Sequence, residues 1–485
     1  MNTSKRNLMI VAVCVVVLGG VTAALTLTPG AKAGTASSTA STETIELVSK
    51  KSEDIVSMSV KNKKGSYTLI PVVTPSSSTS AASGASSAEA ASTTYSIKEL
   101  AGVPIDSSAA SQVVQNGFSL VATKNLGAVT NLEEYGLKDP QATVEVSFKD
   151  GSTYNYKIGS VCSTDSASYY MCGENSNNVY VVGVDGGILD SVNYFVSKDV
   201  LAVTSSSGTN DFTKITLSGK NYAKPVTIQK TDSVTSITAP ISTQTDDTKL
   251  TALETALATV TATSVEAVNP DAAALKKYGL DTPSAVAEFT VNKGNYKVIA
   301  GAQNGDNYYV MLDKGNAVYL VSKDSAGAWV NTSAFALRSK LILMPNIATV
   351  KSITVTQGTT PAVLTIARTK DEKTSTEDKP AYTYKVTGTS GKELAYDTNY
   401  KKFYESLISL ELLEEANTKP SGKPDYTIQY AYYDKSNTDT VEFYKSGDRR
   451  YTAVLNGQVC GTVVSTDLEK VSSKLKLLQD GQTVS

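Results

Sequence analysis

Runs of alternating apolar and polar residues, interrupted by short amphipathic stretches, are the dominant pattern of this chain. Ala142-Thr-Val-Glu-Val-Ser-Phe148 and Thr153-Tyr-Asn-Tyr-Lys-Ile158 have period two, which predicts half-buried strands, and Asp150-Gly151 between them is a hairpin signal. Ala285-Val-Ala-Glu-Phe-Thr-Val291, the turn Asn292-Lys-Gly294 and Asn295-Tyr-Lys-Val-Ile299 repeat that arrangement. Upstream, Leu250, Leu253, Leu257 and Val260 recur at helical spacing and predict an amphipathic helix over 248–262 with one face on a sheet. A second, shorter helix is expected to end at each Tyr-Gly-Leu. There Asn131 and Asp271 stand at capping positions, and Glu134 has the place of a capping-box acid. Gly136 and Gly279 can take the left-handed stop, Leu137 and Leu280 pack back, and Pro140 and Pro283 prevent resumption. With Tyr135 and Tyr278 these residues read as structural punctuation rather than as a catalytic site.

The elements return in register. Tyr135 and Tyr278 are 143 residues apart (278 − 135), while Tyr169-Tyr-Met171 and Val179-Tyr-Val-Val182 return after 139 as Tyr308-Tyr-Val310 and Val318-Tyr-Leu-Val321. A third, decayed copy has strand-like Ile353-Thr-Val355 and Val363-Leu-Thr-Ile366, then a helical set of Phe403, Tyr404, Leu407, Ile408 and Leu410. Pro424 follows Pro283 by 141 residues, without a preceding Tyr-Gly-Leu, and Ser473-Lys-Leu-Lys-Leu-Leu478 echoes Arg338-Ser-Lys-Leu-Ile-Leu343. The expected fold class is α+β: three tandem repeat units, each a mainly antiparallel sheet with helices packed on one face, after one N-terminal transmembrane helix. The expected divisions are 1–33 for the anchor or a signal peptide, 34–44 for a linker, 45–204 for unit one, 205–344 for unit two and 345–485 for the degenerate unit three. Unit one carries a Ser/Ala-rich insertion over 74–94 that reads as a hairpin tip, too poor in large apolar residues to fold alone.

The N-terminus places the rest. Lys5 and Arg6 precede an uncharged run from Leu8 to Leu27 that, at about 1.5 Å per residue, is long enough for the roughly 30 Å hydrocarbon core. Basic residues ahead of the run keep the N-terminus in the cytoplasm and the bulk of the chain outside, as a single-pass protein of the cell membrane. Ala31-Lys-Ala33 has the spacing of a cleavage site, so secretion after signal cleavage is the alternative. Cys14, in mid-run, reads as an ordinary apolar membrane residue.

Composition then removes chemistry. A formal charge of −2 and a pI near 5.6 give no basic excess, so no nucleic-acid partner is expected. The chain has no His, no phosphate-binding Gly loop and no Cys-x-x-Cys, so neither a metal site nor a cofactor nor a His-based triad is expected, and the chain does not read as an enzyme. The remaining acid pairs are Glu133-Glu134, Asp246-Asp247, Glu414-Glu415 and the acids between Asp371 and Asp378, which read as charged surface rather than glycosidase carboxylates. Cys162 and Cys172 flank an expected turn over 163–168 in an exported chain, which points to a disulfide and leaves Cys460 single.

Taken as a set, the anchor, the helix closed by Tyr-Gly-Leu-x-x-Pro, the Gly-turn hairpin, the Tyr-Tyr strand and the Val-Tyr-x-Val strand resemble the bacterial domain-of-unknown-function 4340 family. The resemblance covers roughly residues 45–345 and only the pattern of unit three. It implies a membrane-anchored extracytoplasmic protein, often encoded beside ABC transporters of the gliding-motility type, and it brings no catalytic residues. The resulting expectation is a non-catalytic accessory or scaffold of an envelope ABC-transport system, held to the cytoplasmic membrane by its N-terminal helix and contacting transporter subunits. The alternative is an extracellular protein that binds glycan or peptide on Tyr-rich sheet faces.

Overall fold

The computed structural model describes residues 44–74, 92–373, 375–376 and 381–485. The run Leu8 to Leu27 lies outside them, and among the described residues no helix is long and apolar enough to cross a membrane. Unit one contains β1 (Ile45–Ser49), β2 (Ile55–Asn62), β3 (Gly65–Thr74), β4 (Ser92–Ile97), β5 (Ser119–Ala128), β6 (Ala142–Phe148), β7 (Thr153–Cys162), β8 (Asp165–Gly173) and β9 (Asn178–Val182). They form one sheet in the order β1-β5-β9-β8-β7-β6-β2-β3-β4. Next come β10 (Asp199–Ala202), β11 (Phe212–Ser218), β12 (Val226–Thr231), β13 (Val234–Ala239), β14 (Thr243–Gln244), β15 (Thr259–Thr261), β16 (Ser264–Val268), β17 (Ala285–Val291), β18 (Gly294–Asn304), β19 (Asn307–Leu312) and β20 (Ala317–Ser322). Their sheet runs β14-β13-β12-β11-β17-β18-β19-β20-β16, while β10 pairs separately with β15. The last set is β21 (Val350–Gln357), β22 (Thr360–Lys370), β23 (Tyr382–Thr387), β24 (Glu393–Leu394), β25 (Tyr426–Tyr432), β26 (Asp439–Gly447), β27 (Arg450–Leu455) and β28 (Gln458–Val464), in the order β24-β23-β22-β21-β25-β26-β27-β28.

Superimposing these orders matches β4-β3-β2-β6-β7-β8-β9 with β13-β12-β11-β17-β18-β19-β20 and with β23-β22-β21-β25-β26-β27-β28. The longer helices pack on one face of each sheet. α1 (Ser107–Phe118) starts at Asp106, whose carboxylate accepts from the Ser108 and Ala109 N–H groups, and it buries Ala110, Val113 and Val114. α2 (Asp247–Ala258) starts at Asp246 in the same way and buries Leu250, Leu253 and Leu257. It ends before the expected residue 262, because β-branched Thr259-Val260-Thr261 leaves the helix to pair with β10. Val260 keeps its inward place as a strand residue, 2 % exposed. Further helices are α3 (Ala272–Lys277), α4 (Lys323–Val330), α5 (Ala334–Leu337), α6 (Lys401–Ile408) and α7 (Ser465–Asp480). The Ser473–Leu478 echo of the sequence lies inside α7, whereas Arg338-Ser-Lys is extended, so shared residue types there do not mean shared structure.

The units are joined by one repeated device. After unit one, Val196 bridges to Ile105, the Asp106 N–H donates to the Phe195 carbonyl, and the Ala262 N–H donates to Lys198 O at 2.8 Å. After unit two, Arg338 bridges to Thr245, the Asp246 N–H donates to Leu337 O, and the Leu412 N–H donates to Lys340 O at 2.7 Å. Each connector thus leaves one unit beside its helix cap and enters the next as a short strand. β1 takes that entering place in unit one, pairing with β5 over Ser119 to Ala122. One continuous apolar cluster runs from Ile55 to Leu337 through units one and two, and a second, from Ile342 to Val484, fills unit three.

Candidate functional site

The most faithfully repeated residues build a corner on the sheet face opposite the longer helices. In unit one Asn131 Oδ1 accepts from the Glu133 N–H at 3.1 Å, opening a single 3₁₀ turn, Leu132–Tyr135. In unit two Asp271 accepts from the Ala274 N–H at 2.8 Å and opens α3. Both turns stop at a left-handed glycine, Gly136 at φ 67° and Gly279 at φ 69°. Gly136 N–H donates to Glu133 O and Leu137 N–H to Leu132 O, and Gly279 and Leu280 repeat this to Lys276 and Leu275. That paired return is the Schellman closure, with Leu137 against Leu132 and Leu280 against Leu275 as its apolar contact. Glu134 does not complete a capping box; its carboxylate accepts from Asn131 Nδ2 at 3.1 Å instead.

The corner docks on a bulge that the sequence reading missed. Pairing of β7 with β8 shifts between Ile158 and Val161, and pairing of β18 with β19 shifts between Ala300 and Gln303. Gly159 and Gly301 sit at those shifts, 142 residues apart (301 − 159), and a Cβ on either would stand 2.2 Å from the Tyr135 or Tyr278 carbonyl oxygen. The Ala302 N–H freed by the bulge donates to Tyr278 O at 2.8 Å. Tyr135 meets Tyr170 edge-on with centroids 5.0 Å apart, and Tyr278 meets Tyr309 at 4.6 Å. Pro140 precedes Gln141, whose N–H starts the β6–β7 ladder at Ile158 O, and Pro283 O accepts from Lys220 N–H. A glycine two residues beyond the Thr-Tyr-Asn-Tyr-Lys strand was the available signal, visible only once the two units are aligned.

The expected disulfide does not form: Cys162 and Cys172 are both free thiols, as is Cys460. The turn is tighter than 163–168, since Cys162 already pairs with Asp165, and Cys172 lies opposite Lys157. Five positions of offset along a strand is roughly 16 Å, far beyond disulfide reach. Cys172 is instead packed under the corner with Leu137 and Val179, and burial pushes its thiol pKa up.

The other half of that outer face is open and polar. Adjacent strands align Ser59, Glu145 and Asn155 in unit one, Thr216, Glu288 and Lys297 in unit two, and Thr354, Gln429 and Thr440 in unit three. Each row continues to Glu174, Asp313 or Asn456, whose backbone N–H donates to the last residue of the row. A groove of about 310 Å³ lies over Glu145, Asn155 and Lys157, and one of about 480 Å³ over Lys214, Glu288 and Lys297. Lys297 pairs with Glu288 at 3.1 Å, and Asn155 Nδ2 donates to Glu174 at 3.0 Å. Tyr67 in β3 and Tyr156 in β7 turn their rings to the core and are each 1 % exposed.

The acid pairs are scattered among structural tasks. Glu133 pairs with Lys138 at 3.0 Å, Asp246 caps α2, and Glu414 stands 3.8 Å from Arg450. The acids between Asp371 and Asp378 lie partly outside the described residues. Among the described residues no group of three or more Cys, Asp or Glu side chains is placed to hold a metal ion.

A family model described as a domain of unknown function (DUF4340) matches residues 96–267 and again 236–429. The two matches start 140 residues apart (236 − 96), which is the repeat spacing, and each begins in one sheet and ends in the next. The second reaches into β25, so it includes part of the unit that lacks the Tyr-Gly-Leu. No curated protein and no solved structure matches the chain.

Proposed function

The chain belongs to the domain of unknown function family DUF4340, and on that premise we propose that it is a non-catalytic, membrane-anchored extracytoplasmic protein serving as accessory or scaffold of an envelope ABC-transport system. The observation that carries the non-catalytic part is the drift of the polar row. Its central position is Glu145, then Glu288, then Gln429, and its next is Asn155, then Lys297, then Thr440, on a backbone that keeps the same strand pairing. Acid–base chemistry depends on residue type at a fixed geometry, whereas a spacer or docking surface needs the geometry and tolerates the change. The Tyr-Gly-Leu corners support the same reading, since their groups are engaged in closing helices and seating bulges.

The anchor is assigned to Leu8 to Leu27 with Lys5 and Arg6 on the cytoplasmic side. Protease added to intact protoplasts is expected to digest the chain beyond about Gly34, and complete protection would remove the extracytoplasmic placement. The functional test is a detergent pull-down of the full-length protein, with co-purified permease and ATPase subunits as the readout. Glu145→Gln and Glu288→Gln should leave that recovery unchanged. Absence of membrane partners together with a hydrolase activity lost in either variant would replace the scaffold by an enzyme.

A second reading, binding of a glycan or peptide, draws on the two open-face grooves with their carboxylate, amide and ammonium groups. Saturable chemical-shift changes confined to strands β6, β7, β17 and β18 on titration with soluble oligosaccharides would move it ahead.

A further inference from the structure

Where unit one meets unit two the chain forms a groove of about 920 Å³, within the roughly 300–1,000 Å³ of ligand clefts. Its walls are held by the Ile105–Val196 bridge, by the Ala262 N–H on Lys198 O and by the apolar cluster that both units share. Polar groups from three elements meet in it. The Gln112 amide comes from α1, the Lys198 ammonium and Asp199 carboxylate from the connector, and the Ser264 hydroxyl from β16. Among the described residues none of these four side chains takes part in a hydrogen bond or ion pair. Tyr194 adds an aromatic surface. A Cβ on Gly187 would stand 2.7 Å from the Tyr194 ring, so the missing side chain gives the ring its seat, and Phe195 meets it edge-on with centroids 5.4 Å apart. Held in this way, Tyr194 is still 36 % exposed and lines the groove.

The second joint repeats the device without these groups. Matching Ile105–Val196 with Thr245–Arg338 puts Ala252 at the place of Gln112 (245 − 105 = 252 − 112) and Ala336 at the place of Tyr194 (338 − 196 = 336 − 194). Lys340 stands for Lys198, and its ammonium is turned onto Phe335 O at 2.7 Å. The ring and the free amide therefore belong to the first joint alone and are not by-products of joining two units.

We propose that this groove binds a neutral oligosaccharide, with one sugar ring against Tyr194 and its hydroxyls on Gln112, Asp199 and Ser264. The chemistry of the free groups identifies the ligand. An amide both donates and accepts, a carboxylate accepts from two neighbouring hydroxyls, and a serine does either, which suits the closely spaced O–H groups of a sugar. An exposed tyrosine that is fixed from behind offers the sugar's C–H face an apolar surface at little cost in conformational freedom. Three carboxylates, Asp106, Asp190 and Asp199, line the groove against the one ammonium of Lys198, so a phosphate or uronate is disfavoured. The proposal rests on the glycan-binding reading above, moved from the open face to the joint, and is independent of the transporter assignment.

The test is titration calorimetry of the full-length protein, in a detergent without a sugar headgroup, against maltotriose, cellotriose, chitotriose and the charged trigalacturonate. At least one neutral trisaccharide is expected to give saturable single-site heat, and trigalacturonate to give less. Tyr194→Ala should weaken that binding by about tenfold or more, while Tyr194→Phe, which keeps the ring, retains it. Gln112 is exposed on α1, so Gln112→Ala should weaken binding by a similar factor with an unchanged unfolding midpoint, which separates loss of the site from loss of the fold. Absence of saturable heat with every neutral sugar would overturn the proposal, as would unchanged affinity in both Tyr194→Ala and Gln112→Ala or tighter binding of trigalacturonate. Unchanged affinity with shifts confined to β6, β7, β17 and β18 would return the sugar to the open face and keep the glycan reading. Recovery of transporter subunits in the pull-down is a separate measurement, and its failure leaves the groove standing.

Discussion

Gly301 shows what a single missing Cβ does in this fold. The Tyr278 carbonyl oxygen occupies the place where that Cβ would be, 2.2 Å away, and the same oxygen accepts the Ala302 N–H. Gly301→Ala must push the corner off its bulge, with an expected cost of about 2 kcal/mol or more, as for other overpacked sites. Gly305 has a left-handed φ of 57° but open space around it, so Gly305→Ala should cost only about 1 kcal/mol from backbone strain. Urea midpoints of the two variants compare these terms directly, and equal losses would remove the docking contact from the account. Asp439 supplies a pH test. Burial raises its pKa, but donors from Lys435 at 2.9 Å, Tyr432 at 2.7 Å and Asn456 at 2.9 Å outweigh burial and hold it below the ordinary carboxylate value. A lowered folded pKa means the contribution is whole above the unfolded value near ~4 and is lost as pH falls through the folded one. The unaltered protein should therefore lose stability more steeply below about pH 4 than Asp439→Asn does in the same urea titrations.

At the scale of elements, the connectors carry the most specific contacts. Val196 in the first connector is replaced at the second by Arg338, which is 1 % exposed and donates to Ser339 O at 3.1 Å and Cys460 O at 3.0 Å. The first joint is thus sealed by apolar packing and the second by a guanidinium on a carbonyl of unit three. Arg338→Ala leaves the Cys460 carbonyl without that donor, at a cost of about 1–3 kcal/mol. It should speed proteolysis within residues 339–349 while the unfolding of units one and two stays as it was; cleavage at an unchanged rate would show that the joint is held elsewhere. Strands, turns and caps were legible here because each rests on local chemistry: Asp150-Gly151, Asn292-Lys293 with both φ positive, and the Asp246 and Asp271 caps. The connectors, the bulges at Gly159 and Gly301, and the free Cys162 and Cys172 were not. Each of these depends on the register between strands distant in sequence, which residue types alone do not set.

Over the whole molecule, the division of the apolar core does not follow the repeat. Ile55 to Leu337 is one cluster across units one and two, joined where β10 pairs with β15, whereas Ile342 to Val484 is a separate cluster in unit three. Cooperativity follows continuous packing, so the repeat of three should unfold in two steps. Calorimetry of residues 44–485 is expected to show two transitions, one of which a fragment of residues 346–485 reproduces alone. Gly301→Ala, in unit two, should lower the transition that also reports unit one and leave the other in place. Cys172, buried under the corner of unit one, gives an independent readout, because its thiol reacts only when that unit opens. If Cys172 labelling in Gly301→Ala is no faster than in the unaltered chain, units one and two are separate cooperative bodies, and their shared cluster does not couple them.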